Sequence, residues 1–201
     1  MKRIKLSSRF GFNLWQIAAS LQNWGAANCR FAVGNSNIRE FEPILHGIKL
    51  VNGSRGELVK YRTGRIYSIL NFPDIDMRKH LQVNPLCSDY TIIHVRGTDY
   101  LKHMPQHFNR SRRDYERDCE SLGFELSNCR VITDDPSYAK HLLPECKQLS
   151  TASDLEAFRL LVGARHLIPS GSQFCFWARY LRPQPQKFDT GSIVWQQSLE
   201  Q

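Results

Sequence analysis

His94, Arg96 and Asp99 fall within six positions of one another, where the apolar run TIIHV, residues 91 to 95, gives way to RGTDY. A guanidinium at such a place can grip a diphosphate with paired, charge-assisted hydrogen bonds, and it stays cationic at any physiological pH. A second anion signal lies in PSGSQF, where Ser170, Gly171 and Ser172 precede a helical pattern whose first amides and dipole favour negative charge. Asp154 can accept from the N1–H and exocyclic amine of a guanine, a pairing that adenine does not offer. Thr133, Asp134 and Asp135 suit a ribose contact or a helix cap.

Each group also has a plain structural reading. Arg96 can pair with Asp99 at the surface, Ser172 can be an ordinary N-cap, and Asp154 can sit in a first helical turn for the sake of the dipole. What sets them apart is the pattern of elements that would carry them. TIIHV is a short, nearly continuous apolar run rich in β-branched residues, as a strand covered on both faces is, and CRVIT and RHLIP read as further strands. Between them RRDYERDCESL has helical composition, and DPSYAKHLL starts on Pro136 behind Asp134 or Asp135 as cap. STASDLEAFRLLVGA carries a Ser153-x-x-Glu156 capping box and an apolar face of Leu155, Phe158 and Val162. SGSQFCFWARYL turns from small residues into a last helix.

Strands alternating with helices predict βαβ units and parallel sheets, in which ligands sit beyond the carboxyl ends of the strands. His94 and Arg96, the 133 to 135 turn and the 170 to 173 turn all fall at such ends. Upstream, Leu14, Ile17, Ala18 and Leu21 recur at helical spacing behind a loop containing Gly11, and CRFAVG reads as a short strand. Residues 34 to 90 alternate Gly, Asn, Pro and short apolar runs too irregularly to assign.

With 201 residues, 41% hydrophobic and 23% charged, the chain is an ordinary globular α/β protein. Its net charge of +8 favours an anionic partner without choosing among nucleotide, nucleic acid and acidic membrane. No continuous basic stripe with interleaved aromatics points to nucleic acid. Six cysteines without a C-x-x-C pair argue for reduced, mostly buried thiols, and His94, His103 and His107 match no zinc spacing, so no metal is expected. Without a long apolar segment, a soluble, cytoplasmic protein is expected, with peripheral membrane contact through Lys and Arg left open.

Four segments resemble the inverting fucosyltransferases of glycosyltransferase family 11, the α-1,2-fucosyltransferases, and more distantly the α-1,6- and protein O-fucosyltransferases. They are FGFNLWQIAASL, HVRGTDYL, VITDDPSYAK and SDLEAFRLLVGARHLIPSGSQFCFWARYL. The resemblance implies a GT-B-like architecture of two small Rossmann-like lobes with a cleft between them. The acceptor lobe would be reduced, at residues 1 to 87, and the GDP-sugar lobe would cover residues 88 to 201.

It implies metal-independent transfer of L-fucose from GDP-fucose to a hydroxyl of a saccharide acceptor, lipid-linked or not, with no further cofactor. The expected linkage is α-1,2 to galactose, with an α-1,6 linkage or a non-catalytic nucleotide- or nucleic-acid-binding protein as alternatives. Arg96 would bind the β-phosphate and Asp154 would read guanine, with His94 near the guanosine. Ser170, Ser172, Gln173 and Phe174 would offer donors to the pyrophosphate. Gly11 and Asn13 match the loop folded over the donor, and Asp134 the turn beside it. Asp99, His103 and Asp134 are the candidate general bases. The chain departs from the family at Phe12 and Asn13, where Asn and Gln are usual. It departs again at Gly97, where a second basic residue is frequent, and at Cys175 and Phe176 in place of Ser and Trp.

Overall fold

A computed structural model describes residues 1–6, 10–34, 36–53, 55–56, 75–98, 101–102 and 110–183 of the chain. The chain divides into two compact units, Met1–Asn84 and Pro85–Gln201. Among the described residues both are α/β, with one parallel sheet in each.

In the amino-terminal unit β1 (Lys2–Leu6), β2 (Cys29–Val33) and β3 (Leu50–Asn52) pair in that order. The segment KRIKL is basic in composition, and from Arg3 onward it alternates charged and apolar residues. Ile4 and Leu6 therefore face the core at 0% exposure while Arg3 and Lys5 lie on the opposite face. Helix α1 (Phe10–Trp24) joins β1 to β2 and is buried along most of its length.

Gly11 lies inside the first turn of α1, not in a loop ahead of it. Phe10 stacks on Phe41 with ring centroids 3.6 Å apart, and that buried contact carries the helix start upstream of the glycine. Phe41 belongs to a 3-10 stretch, Asn37–Ile44, whose buried residues Ile38, Phe41 and Ile44 recur every third position. That period matches neither helix nor strand, which is why the middle of the sequence resists assignment.

In the carboxyl-terminal unit β4 (Ser88–Val95), β5 (Cys129–Thr133), β6 (Lys147–Gln148) and β7 (Ala164–Ile168) form a parallel sheet in the order β6-β5-β4-β7. Helices α2 (Arg112–Ser121), α3 (Pro136–Leu142) and α4 (Asp154–Gly163) connect successive strands, and α5 (Gln173–Tyr180) follows β7. On one face Ile93, Val95, Val131 and Ile168 pack with Tyr115 and Cys119 of α2 and Ala139 of α3. Burying each such aliphatic side chain contributes about 1.5–3 kcal/mol.

Helix α4 packs on β4 and β7 and buries Ala157, Phe158, Leu161 and Val162. Leu155, expected on that face, is only half-buried, because the buried stripe starts at Ala157. The capping box forms in part. Ser153 accepts from the Glu156 amide at 3.1 Å, but the Glu156 carboxylate accepts from the Ala152 amide, one residue short of the expected partner. Cys87 is exposed and the other five cysteines are buried free thiols. Among the described residues no helix is long and apolar enough to cross a membrane.

Between Ser88 and Thr91 the β4–β7 register shifts, just where the chain enters the sheet. There the Leu86 amide donates to the Arg159 carbonyl at 3.1 Å, and the Leu86 carbonyl lies where a Cβ on Gly163 would stand. Backbone cannot yield as a side chain can. Gly163→Ala is expected to cost about 1–3 kcal/mol, measured as a fall in urea midpoint with unchanged slope.

Candidate functional site

The order β6-β5-β4-β7 means that the chain steps outward from β4 through β5 to β6, then returns to lay β7 on the other side of β4. That order sets the carboxyl ends of β4 and β7 side by side, the place where ligands gather in sheets of this kind. His94 and Ser170 meet there. His94 Nδ1 and Ser170 Oγ are 2.6 Å apart, both residues are buried, and the contact spans 76 positions of sequence.

The Ser170 hydroxyl donates to Ser172 Oγ at 3.0 Å, and Ser170 Oγ accepts from the Ser172 amide at 3.3 Å. Ser172 Oγ in turn accepts from the Cys175 amide at 3.2 Å, capping α5. With the Ser170 hydrogen directed at Ser172, the His94 contact is completed by a proton on Nδ1. Phe174 packs beside the imidazole at 5.8 Å between ring centroids, and Phe158 meets Phe174 at 5.3 Å. Burial above all, with the Arg96 charge adding to it and Asp134 opposing, lowers the His94 pKa to about 4. The imidazole is neutral at pH 7.

Arg96 leaves the end of β4 and pairs with Asp134 at 2.6 Å, its side chain 12% exposed. Asp134 also accepts from the Gly97 amide at 2.8 Å and from the Thr98 hydroxyl at 2.5 Å. Asp135, not Asp134, caps α3, accepting from the Tyr138 amide at 3.0 Å. The two neighbouring carboxylates thus divide their work: one shapes the loop after β4, the other starts a helix.

Thr98 has a positive φ of 44°. That costs a β-branched residue about 1–3 kcal/mol and is held by the bonds to Asp134 and Asp135. Gly97 has a steric reason. A Cβ there would overlap the Cβ of Asp135, so the basic residue frequent in the resembled family has no room.

Asp154 is exposed at the start of α4, and Gln173 and Phe174 are half-buried at the start of α5. Asn13 lies fully buried within α1 of the other unit and donates to Ser36 Oγ at 2.5 Å, while Gly11 is buried in that helix. Neither stands in a loop. The serine hydroxyls of the 170s turn are engaged internally, so the cationic character of the site comes from Arg96 and from the positive end of α5. Asp99, His103 and His107 lie outside the described residues.

Two residues that the strand-end pattern misses also reach this place. Tyr115 of α2 donates its hydroxyl to the His94 carbonyl at 3.2 Å, and Arg110 donates to the Pro169 carbonyl at 2.6 Å. Helical spacing marks Tyr115 as core, and nothing in the sequence around Arg110 marks a contact 59 positions away.

The fold defines a parallel α/β protein, with Arg96 and the start of α5 near the carboxyl ends of β4 and β7. Compared with family models, curated proteins and solved structures, the chain finds no match. The residues themselves are then the basis for assigning a function.

Two outcomes follow from this geometry. Above pH 6.5 His94 is neutral whether folded or not, and stability is full. As pH falls from 6.5 to 4 only the unfolded chain takes up the proton, so stability drops by about 3 kcal/mol in total. His94→Gln should flatten most of that slope in urea titrations across pH, leaving the part due to His166, whose pKa is lowered by burial and by Arg165 and Arg182. Separately, Gly97→Ala should push Asp135 off its cap and cost about 1–3 kcal/mol, read as a lower Tm at pH 7.

Proposed function

We propose that the chain binds a nucleoside diphosphate sugar at the β4–β7 crevice and transfers the sugar with inversion to an acceptor hydroxyl, the donor being GDP-fucose. The observation that carries this reading is the contact of His94 with Ser170. It joins the end of β4, two residues before Arg96, to the turn that starts α5. A guanidinium and a helix N-terminus brought to one strand-order reversal form an anion site of the kind a diphosphate requires.

Departure of the nucleotide leaves growing negative charge on the β-phosphate while the sugar becomes oxocarbenium-like. Groups that stabilise the departing charge more than the bound donor lower the barrier. Arg96 has that role here. In the free protein Asp134 neutralises it, so an incoming diphosphate exchanges a carboxylate partner for two phosphate groups. Asp134 is then released beside the reacting sugar, where a carboxylate can take the acceptor proton, a role it shares as candidate with Asp99 and His103. Asp154, exposed at the start of α4, is the guanine reader in this scheme. Neutral His94 and the inward-turned serines shape the floor without contributing charge. The carboxyl-terminal unit is the donor lobe of a GT-B-like enzyme and the amino-terminal unit its reduced acceptor lobe.

Calorimetric titration of the full chain with GDP, GDP-fucose, ADP and UDP tests the reading. Guanine nucleotides should bind preferentially. Arg96→Ala should weaken GDP by about 2–3 kcal/mol, or 30- to 150-fold, as expected for loss of a charge-assisted pair. Equal binding of all four nucleotides would remove the donor assignment. Methylation analysis of a fucosylated product then distinguishes an α-1,2 from an α-1,6 linkage.

A further inference from the structure

The β4–β7 ladder stops at Ile93 and Ile168. Pro169 has no N–H to donate, so backbone pairing cannot continue beyond it. Past that point the two strand ends are held by side chains. His94 bridges to Ser170, and two residues contributed by α2 and its entry bind the main-chain carbonyls on either side of that bridge. Tyr115 donates to the His94 carbonyl, and Arg110 to the Pro169 carbonyl.

Arg110 is itself fixed. Its side chain is 3% exposed, it pairs with the fully buried Asp118, it donates to the Asp114 carbonyl at 3.0 Å, and it lies over the Tyr115 ring at 4.6 Å from the centroid. A buried arginine and aspartate replaced by apolar groups of similar volume commonly cost a fold nothing. Net stability therefore gives no account of this pair. What it does supply is direction, because the planar guanidinium reaches three acceptors on rigid elements at once.

We propose that Arg110 and Tyr115, with Asp118 holding Arg110 in place, are positioning residues that set the separation of the two strand ends and so lock His94 in its Nδ1–H form against Ser170. They touch neither the proposed donor nor each other's strand. Tyr115 acts through the backbone of His94, and Arg110 through the backbone that leads into the serine turn. A purely structural role would be satisfied by any residue that fills the space. A positioning role needs the donors where they are.

The inference adds to the donor-site reading above, in which a rigid His94–Ser170 floor preorganises the crevice, but its test does not depend on nucleotide. Imidazole nitrogen NMR distinguishes the two neutral tautomers, and His94→Gln assigns the signal among the seven histidines. Wild type should show His94 as a single Nδ1–H tautomer at pH 7. Tyr115→Phe keeps the ring and its contact with Arg110 and removes only the hydroxyl. The paired change Arg110→Met with Asp118→Leu removes the guanidinium without stranding a buried carboxylate. Each should leave the sheet folded, by circular dichroism and a cooperative thermal transition, yet give His94 a mixed tautomer population and weaken GDP binding about tenfold. A His94 spectrum unchanged in both variants would overturn the proposal. Should the paired variant not fold, an unchanged spectrum in Tyr115→Phe alone overturns it. Failure of wild type to bind GDP would count against the donor reading alone, because the imidazole signature is read without ligand.

Discussion

His94 and Ser170 meet where a proline forbids further backbone pairing, and the rest of the carboxyl-terminal unit is arranged around that meeting. A parallel ladder continues until something removes a donor. Pro169 ends the ladder at a defined residue, and one buried side-chain hydrogen bond replaces it. As the donor to Ser170, the imidazole needs its Nδ1 proton in place. Burial and the nearby guanidinium secure the neutral form, and the serine network accounts for the proton.

That arrangement places several polar groups in the interior and satisfies them with main-chain carbonyls. Arg182 is an example away from the crevice. It is 8% exposed, and it donates to the carbonyls of Leu161, Ala164 and Arg165. These are the carbonyls left over where α4 ends and β7 begins, so the cation sits at the negative end of a helix. Burial still lowers its pKa. Arg110 answers the same need at the other end of β7. The strand is thus framed by two buried guanidiniums that hold backbone, not carboxylates alone.

Much of this was legible in the residues. TIIHV and CRVIT read as strands because buried β-branched residues dominate them, whereas β7, with Arg165 exposed and His166 half-buried, is marked mainly by its place after the α4 segment. KRIKL hid its strand because lysine and arginine dominate its composition while only Ile4 and Leu6 face inward. Two-residue β6 is too short to leave a pattern, and the period of three through Ile38, Phe41 and Ile44 resembles neither regular element. At the site, His94, Arg96, Ser170 and Ser172 were marked by their place at strand ends. The split between Asp134 and Asp135 was not, since one residue of helical phase decides which carboxylate caps and which turns toward Arg96. Nor was the demand for Gly97, which comes from the Asp135 side chain across the loop. Gly11 and Asn13 were misplaced in a loop because the stacking of Phe10 on Phe41 is a long-range contact.

The distribution of thiols has a practical consequence. Cys87 alone is exposed, Cys29 is buried in the amino-terminal unit, and Cys119, Cys129, Cys146 and Cys175 are buried in the carboxyl-terminal one. Burial raises the pKa of Cys146 and of Cys175 to about 12, which keeps both in the unreactive protonated form. An alkylating reagent therefore marks one position at once and reaches the others only as each unit opens. The chain carries its own chemical clock for local unfolding, with separate hands for its two halves.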